Sequence, residues 1–316
     1  MPNLREQLQK SLAPSYIIER ELGGGGMSLI FLAEETRLGR RVAIKVLSQE
    51  IADEIDAARF EREIQLAAGL QHPNIVPVLT VGETDGRPYY TMPFVEGSNL
   101  RERMSGLPLL GMNEKISILR DTAKALEYAH RHGVVHRDIK PENILVTAGS
   151  AVVVDFGIAK AISISKTHAR EKVLTGPGTA VGTAGYMAPE QAAGEPDVDH
   201  HADIYTWGLV AYELLAGRHP FGGKTPRQLV VAQMTERPAD LVTAASVPEA
   251  LSSLVMRCLA KEPDARPQSA QEIVQLLDNP LLTAPTAKRR TFPVWRGVVD
   301  AIRRRTARRD QSRNSQ

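Results

Sequence analysis

Apolar and polar positions divide the chain near residue 95. Leu4, Leu8 and Leu12 recur at a spacing of four and predict a short amphipathic helix over 4–12. "YIIEREL" (16–22) and "LIFLAEE" (29–35) read as strands on either side of a run of four glycines. "RRVAIKVL" (40–47) reads as a third strand, reached through a turn at "RLGR". Residues 56–70 read as a helix with Phe60, Ile64, Ala67 and Ala68 on its apolar period. "IVPVL" (75–79) and "RPYYTMPFV" (87–95) read as two further strands joined through "ETDGR". The first 95 residues therefore predict a mostly antiparallel sheet with one main helix. After "EGSN" the period becomes helical. Residues 113–133 form a long amphipathic pattern ending at Gly133, a suitable left-handed stop. Residues 206–217, "TWGLVAYELLAG", are apolar nearly all round, as in a helix buried on every side. Two more helices are expected in "PEALSSLVMRCLA" and "SAQEIVQLLDN", so 96–282 is mainly helical.

Composition narrows the class. With 316 residues, 42% hydrophobic and 24% charged, the chain has the make-up of an ordinary globular protein able to bury a sizeable core. One cysteine, Cys258, excludes an intramolecular disulfide and a cysteine-rich metal site, which fits a reducing, cytoplasmic setting. The N-terminus lacks the apolar core of a signal peptide, and no run of about 18 apolar residues suggests a membrane span. The net charge of +2 is unevenly spread: residues 284–316 hold ten Lys/Arg against two Asp, a tail of +8 on a body of −6. In this tail "FPVWRGVVDAIRRRTARR" places Trp295, Val298, Val299 and Ile302 on one side of a helical pattern. A solvated tail, a contact with an anionic membrane surface or acidic protein, and nucleic-acid binding all compete for it, the last being least supported because no recognition fold accompanies the charge. A membrane contact would make the protein peripheral.

The glycines at 23–26 pose a chemical question. A dinucleotide-binding turn must open a helix, and here "SLIFLAEE" follows, which is strand-like. A glycine-rich hairpin remains, either merely a turn or one whose amides approach phosphate oxygens. "RHPFGGKT" (218–225) imitates a phosphate-binding loop, but Arg218 stands where the first glycine is needed and the preceding segment is helical. Lys45, ending an apolar strand, would ordinarily be solvated. Glu63, however, lies beside Phe60 and Ile64 near the buried face of its helix and needs a partner, for which Lys45 is the natural choice.

"HRDIKPEN" (136–143) and "DFG" (155–157) change the weighting. In order, the chain carries the glycine-rich hairpin, "VAIK" ending at Lys45, Asp138 with Asn143 five residues on, Asp155, and "APE" at 188–190. "DIYTWG" (203–208) and "DARP" (264–267) follow. Over roughly residues 16–282 the sequence resembles a protein kinase, and specifically the bacterial eukaryotic-like (Hanks-type) serine/threonine kinases, whose "GGM" and "GTAGYMAPEQ" forms it shares. The resemblance implies an α+β, two-lobed kinase fold. Residues 16–95 would form the small antiparallel β lobe and 96–282 the larger helical lobe, with an N-terminal extension over 1–15 and the basic tail over 283–316.

It also implies ATP as phosphoryl donor, Mg²⁺ (with Mn²⁺ as a substitute) as metal, and protein Ser/Thr hydroxyls as acceptors. Asn143 and Asp155 would hold the metal, oxygen donors suiting a hard cation. Asp138 would take the hydroxyl proton, and Lys140 would stabilise the moving phosphoryl group. Lys45, positioned by Glu63, would reach the nucleotide phosphates. The nucleotide would lie against Leu22, Gly23, Gly24, Gly25, Gly26, Met27, Ser28, Ile30, Ala43, Met92, Pro93, Val95 and Leu145. His136 is expected to be a packed structural residue, Phe156 a packing residue that sets the active geometry, and Glu190–Arg266 a structural ion pair. Ser28 stands in place of the third glycine. Pro93, after the gatekeeper Met92, lacks an N–H but keeps the carbonyl that would meet adenine. Arg137 before the catalytic Asp implies activation by phosphorylation of the loop between Asp155 and Glu190. Thr175 and then Thr179 are the expected sites, ahead of Ser163, Ser165 and Thr167, in a reaction between copies that would associate through the small lobe. Thr183 in "GTAGY" fits Ser/Thr acceptors. Two other readings use the same residues: a nucleotide-binding pseudokinase scaffold acting through its basic tail, against which the intact Lys45, Asp138, Asn143 and Asp155 argue, and a small-molecule phosphotransferase, against which "GTAGYMAPE" argues.

Overall fold

The computed structural model describes residues 4–25, 28–53, 57–156, 185–241 and 247–279, with backbone alone for 57–59. Five antiparallel strands make the first sheet, in the order β1 (Tyr16–Gly25), β2 (Ser28–Glu35), β3 (Arg40–Leu47), β5 (Arg87–Pro93), β4 (Thr80–Thr84). Strand alternation assigns its two faces. Val42, Ile44 and Val46 of β3 join Ile18 and Phe31 on the outer face. There α1 (Leu4–Leu12) lays Leu8 and Leu12 against them, as the leucine spacing predicts. Ala43, Leu47, Tyr90 and Met92 line the inner face with Phe60 and Ile64 of α3 (Ala57–Ala68). Ala68, expected on the apolar period of this helix, is exposed near its end. A one-turn helix, α2 (Gln49–Ala52), capped by Ser48, connects β3 towards α3.

The β4–β5 hairpin turns through Asp85 and Gly86, both at positive φ, the backbone demanded by a tight turn that follows the strand twist. "IVPVL" does not form the strand expected of it. Pro77 lacks a ladder donor, and the segment is split between two sheets: Val76 N–H donates to the Val153 carbonyl and Val153 N–H to that of Asn74, whereas Leu79 N–H donates to the Thr91 carbonyl of β5.

The rest is the expected helical lobe. It comprises α4 (Leu100–Ser105), α5 (Met112–Arg131), α6 (Pro189–Ala193), α7 (His201–Ala216), α8 (Pro226–Thr235), α9 (Glu249–Cys258) and α10 (Ala270–Leu277). Helix α7 is buried along its first fifteen residues, which explains its nearly uniform apolarity, and Trp207 donates from its indole to the Leu119 carbonyl of α5. Gly133 and Gly217 close α5 and α7 at positive φ. The phosphate-loop look-alike is ordinary structure. Thr225 caps α8 and Lys224 pairs with Glu236 at 3.0 Å. A small sheet that the helical pattern did not announce, β6 (Ser98–Asn99), β7 (Ile144–Thr147) and β8 (Ser150–Val153), carries much of the site. No described helix is long and apolar enough to cross a membrane. Residues 284–316 form a separate unit and, like the expected phosphorylation segment 157–184, lie outside the described residues.

Candidate active site

The β7–β8 hairpin sets two site residues side by side. Ile144 pairs with Val153, and Val154 N–H donates to the Asn143 carbonyl, so Asn143 enters the hairpin where Asp155 leaves it. Before Asn143, a 3₁₀ turn at Pro141–Asn143 folds the chain back on Asp138. The Asn143 amide Nδ2 donates to the Asp138 carbonyl at 2.8 Å and to its Oδ2 at 3.0 Å, and Lys140 Nζ reaches the same Oδ2 at 2.7 Å. Both side-chain bonds fall on one carboxylate oxygen. The Asp138 side chain keeps 24% of its surface exposed.

This loop is held from beneath by a residue the sequence reading gave no role. Asp203, in the first turn of α7 and fully buried, accepts the His136 N–H at 2.8 Å, the Arg137 N–H at 2.7 Å and His130 Nε2 at 2.8 Å. Burial pushes its carboxyl up, but these donors and the neighbouring histidines outweigh that and hold it below the usual carboxylate range. Arg137 sits at φ +67, a conformation a non-glycine residue keeps only when neighbours fix it. Gln191 Nε2 donates to its carbonyl, and its own Nη2 donates to the Val198 carbonyl at 2.6 Å. His136 is packed as expected: Nδ1 accepts the Asp138 N–H, which leaves Nε2–H to donate to the Val154 carbonyl at 2.8 Å, and the ring meets Phe156 edge-on at 4.7 Å. Arg266 and Glu190 form the expected ion pair, bidentate at 2.7 and 2.9 Å and almost wholly buried.

From the small lobe, Lys45 leaves the inner face of β3 and reaches Asp155 Oδ2 at 2.6 Å. Tyr90, directly opposite on β5, donates from Oη to Asp155 Oδ1 at 2.5 Å. Burial raises the Asp155 carboxyl; the Lys45 charge and the two hydrogen bonds more than offset it, so the group lies below the usual carboxylate range. The Lys45–Glu63 pair expected from sequence is replaced by this Lys45–Asp155 pair. Glu63 is buried on α3 as anticipated and engaged in an interaction of its own. The physical reason is competition: a carboxylate arriving at the end of β8 takes both donors of the inner sheet face.

Leu22 and Ile30 are partly buried against the inner-face cluster that holds Ala43 and Met92. Pro93 ends β5 opposite Val42, Val95 lies in the partly buried link beyond it, and Leu145 sits on β7. Gly24 needs its missing side chain, because a Cβ would lie 2.4 Å from the Ser28 carbonyl oxygen and 2.9 Å from Leu29 Cα; Gly23 is at φ +139. Gly25 faces open space, Ser28 opposes it in the hairpin register, and Gly26 and Met27 lie outside the described residues. Hard oxygen donors suit a divalent cation. The donor set fits one: with Nδ2 of Asn143 committed to Asp138, its Oδ1 is the acceptor it can offer, beside the ionised carboxylate of Asp155.

The model of the protein kinase domain matches residues 16–279. The chain is 42% identical over 275 residues to a probable serine/threonine-protein kinase of Streptomyces coelicolor, covering 84% of this chain and 39% of the relative. It is 37% identical over 267 residues to the serine/threonine-protein kinase PrkC of Bacillus subtilis, covering 84% and 40%. It spans about two-fifths of the length of these curated relatives. A crystal structure of Rad53 residues 1–466 in complex with AMP-PNP superposes with a TM-score of 0.69 at 25% identity, over 88% of this chain and 68% of that one.

Proposed function

The chain belongs to the protein kinase family, close to the bacterial Hanks-type serine/threonine kinases, and from that premise we propose that it transfers the γ-phosphoryl group of ATP to Ser/Thr hydroxyls of proteins. The observation that carries the reading is a pair of hydrogen-bonded groups, Lys45–Asp155 at 2.6 Å and Lys140–Asp138–Asn143 at 2.7–3.0 Å, which the Val154 N–H to Asn143 carbonyl bond brings side by side at 3.0 Å. Phosphoryl transfer requires mostly positioning and charge stabilisation, which such an array supplies. In this reading the acceptor hydroxyl lies at Asp138 Oδ1, which orients its oxygen and takes its proton as that oxygen bonds to phosphorus and the bond to ADP breaks. Lys140 balances negative charge on the moving group. Lys45 exchanges Asp155 for the nucleotide phosphates, beneath the hairpin of Gly23, Gly24 and Gly25. Asn143 Oδ1 and Asp155 would hold Mg²⁺, which when bound neutralises phosphate charge.

Activation by phosphorylation at Thr175 or Thr179, between copies of the chain, completes the proposal. Arg137 supports it as the cation adjoining the catalytic Asp. The test is incubation of purified protein with ATP and Mg²⁺, phosphosites being mapped by mass spectrometry. Phosphate on Thr175 or Thr179 that is absent from Asp138→Asn supports the reading, as does loss of activation in Thr175→Ala. Nucleotide binding without phosphate incorporation into the chain or a generic Ser/Thr substrate would favour the scaffold alternative.

A further inference from the structure

Tyr90 is 1% exposed, in an apolar cluster with Ala43, Phe60, Ile64 and Met92. An aliphatic residue would fill such a place. A phenol there must find a partner for its hydroxyl, since an unpaired one is costly inside apolar surroundings. The partner it finds is the Asp155 carboxylate, at 2.5 Å. The arrangement follows from the sheet. Tyr90 and Lys45 are directly opposed in the β5–β3 register, so their side chains share the inner face, with Nζ 5.9 Å from the ring centroid. Each then takes one oxygen of Asp155, Lys45 Oδ2 and Tyr90 Oδ1. Both donors stand on strands of the five-stranded sheet, whereas Asp155 comes from the end of the β7–β8 hairpin and sits at φ +67.

We propose that Tyr90 is a positioning residue that latches Asp155 to the small-lobe sheet and competes with the divalent cation for its carboxylate. The proposal rests on the reading of Asp155 as a metal ligand. Lys45 has phosphates to move to when nucleotide enters, but the Tyr90 hydroxyl has no such exchange built into the motif. Its bond holds Oδ1 in place and draws on the electron density that the metal would use, so it opposes metal binding at that oxygen. A hydrogen bond to a charged group contributes roughly 1.5–3 kcal/mol, which corresponds to about a tenfold or greater change in an equilibrium constant. Tyr90 would thereby set the metal concentration at which the nucleotide complex is completed.

The experiment uses the full chain and the fluorescent nucleotide mant-ADP, titrated with Mg²⁺. Tyr90→Phe keeps the ring and loses only the hydroxyl. The expected result is that half-saturating Mg²⁺ falls about tenfold, while mant-ADP affinity in EDTA stays within twofold of wild type. A merely structural role would instead shift affinity equally with and without metal. Asp155→Asn separates the two levels of the argument. If it leaves the Mg²⁺ dependence intact, Asp155 is not the ligand and the underlying reading fails. If it abolishes that dependence while Tyr90→Phe matches wild type or requires more Mg²⁺, the latch is overturned. A second measurement needs no Tyr90 substitution for its main readout. With tyrosines labelled at Cζ, the Tyr90 resonance, assigned by its absence from Tyr90→Phe or by relayed correlations, should shift when Mg²⁺ joins the ADP complex of wild type and stay fixed in Asp155→Asn. A Tyr90 resonance that Mg²⁺ does not move in wild type overturns the proposal.

Discussion

Asp203→Asn tests whether the catalytic loop is held by a single buried carboxylate. Asp203 has no solvent exposure and receives three donors, the His136 and Arg137 amides and His130 Nε2, at 2.7–2.8 Å. Asparagine keeps the shape but offers one oxygen, so its amide nitrogen must face at least one donor. Loss of one hydrogen bond to a charged acceptor costs roughly 1.5–3 kcal/mol, and the buried N–H left unsatisfied costs about 1–3 kcal/mol more. A total of about 2.5–6 kcal/mol matches or exceeds the roughly 1–3 kcal/mol of strain typical of a residue held in a sparsely populated conformation such as Arg137 at φ +67. The loop should relax, and Asp138, the next residue, should move with it. Misplacement of a reacting group by about 1 Å costs on the order of 100-fold. Asp203→Asn is therefore expected to lower kcat for a Ser/Thr peptide about 100-fold. KM for ATP should stay within threefold, because the proposed nucleotide contacts lie on other elements. Steady-state assays with peptide and with ATP varied in turn read both values. A folded variant, checked by thermal melting, that retains kcat within threefold of wild type would refute the idea that this carboxylate fixes the loop.

Arg266→Met should be among the most destabilising single changes, by about 3–5 kcal/mol, because it leaves the Glu190 carboxylate buried and uncompensated; urea unfolding followed by intrinsic tryptophan fluorescence measures this, and a loss under about 1 kcal/mol contradicts it. Gly24→Ala should raise KM for ATP about tenfold as the hairpin opens to admit the methyl group, whereas Gly25→Ala, which meets nothing within 4 Å, should change it less than twofold; equal effects would mean that crowding at the hairpin is not what Gly24 relieves. Acid should act through Asp203. Its carboxyl is held below its ordinary value in the fold, so the stability it adds is fully present above its unfolded value and is lost as pH falls through the folded one. The difference in melting temperature between wild type and Asp203→Asn should accordingly persist at pH 7 and shrink below about pH 4, and a gap that widened on acidification would reverse the assigned sign.

The elements that could be read from sequence are those whose burial is settled locally. Leu8 and Leu12 needed only a helical period to find the outer sheet face, and the uniform apolarity of α7 announced its burial before any contact was known. The misreadings occur where distant chain segments compete for one group. "IVPVL" has strand composition, yet Val76 bonds to β8 while Leu79 bonds to Thr91 of β5, and Pro77 between them supplies no donor to continue a ladder in either sheet. Lys45 and Glu63 each required a partner, but the pairing was decided by Asp155, which arrives 110 residues after Lys45. Tyr90 was hidden more deeply, because a tyrosine in an apolar strand reads as packing until its hydroxyl is followed to its acceptor. One signal was available: the Asp85–Gly86 turn fixes β5 against β4, and the register with β3 places Tyr90 opposite the motif lysine. Asp203 lies ahead of the apolar stretch 206–217, and only the observed start of α7 at His201 puts this acid in the first turn of a helix buried on nearly every side. In both cases the telling feature was a polar atom assigned to the interior without a partner nearby in sequence. Such an atom needs a partner brought by the tertiary fold, and here both partners proved to be the loops that carry the candidate chemistry.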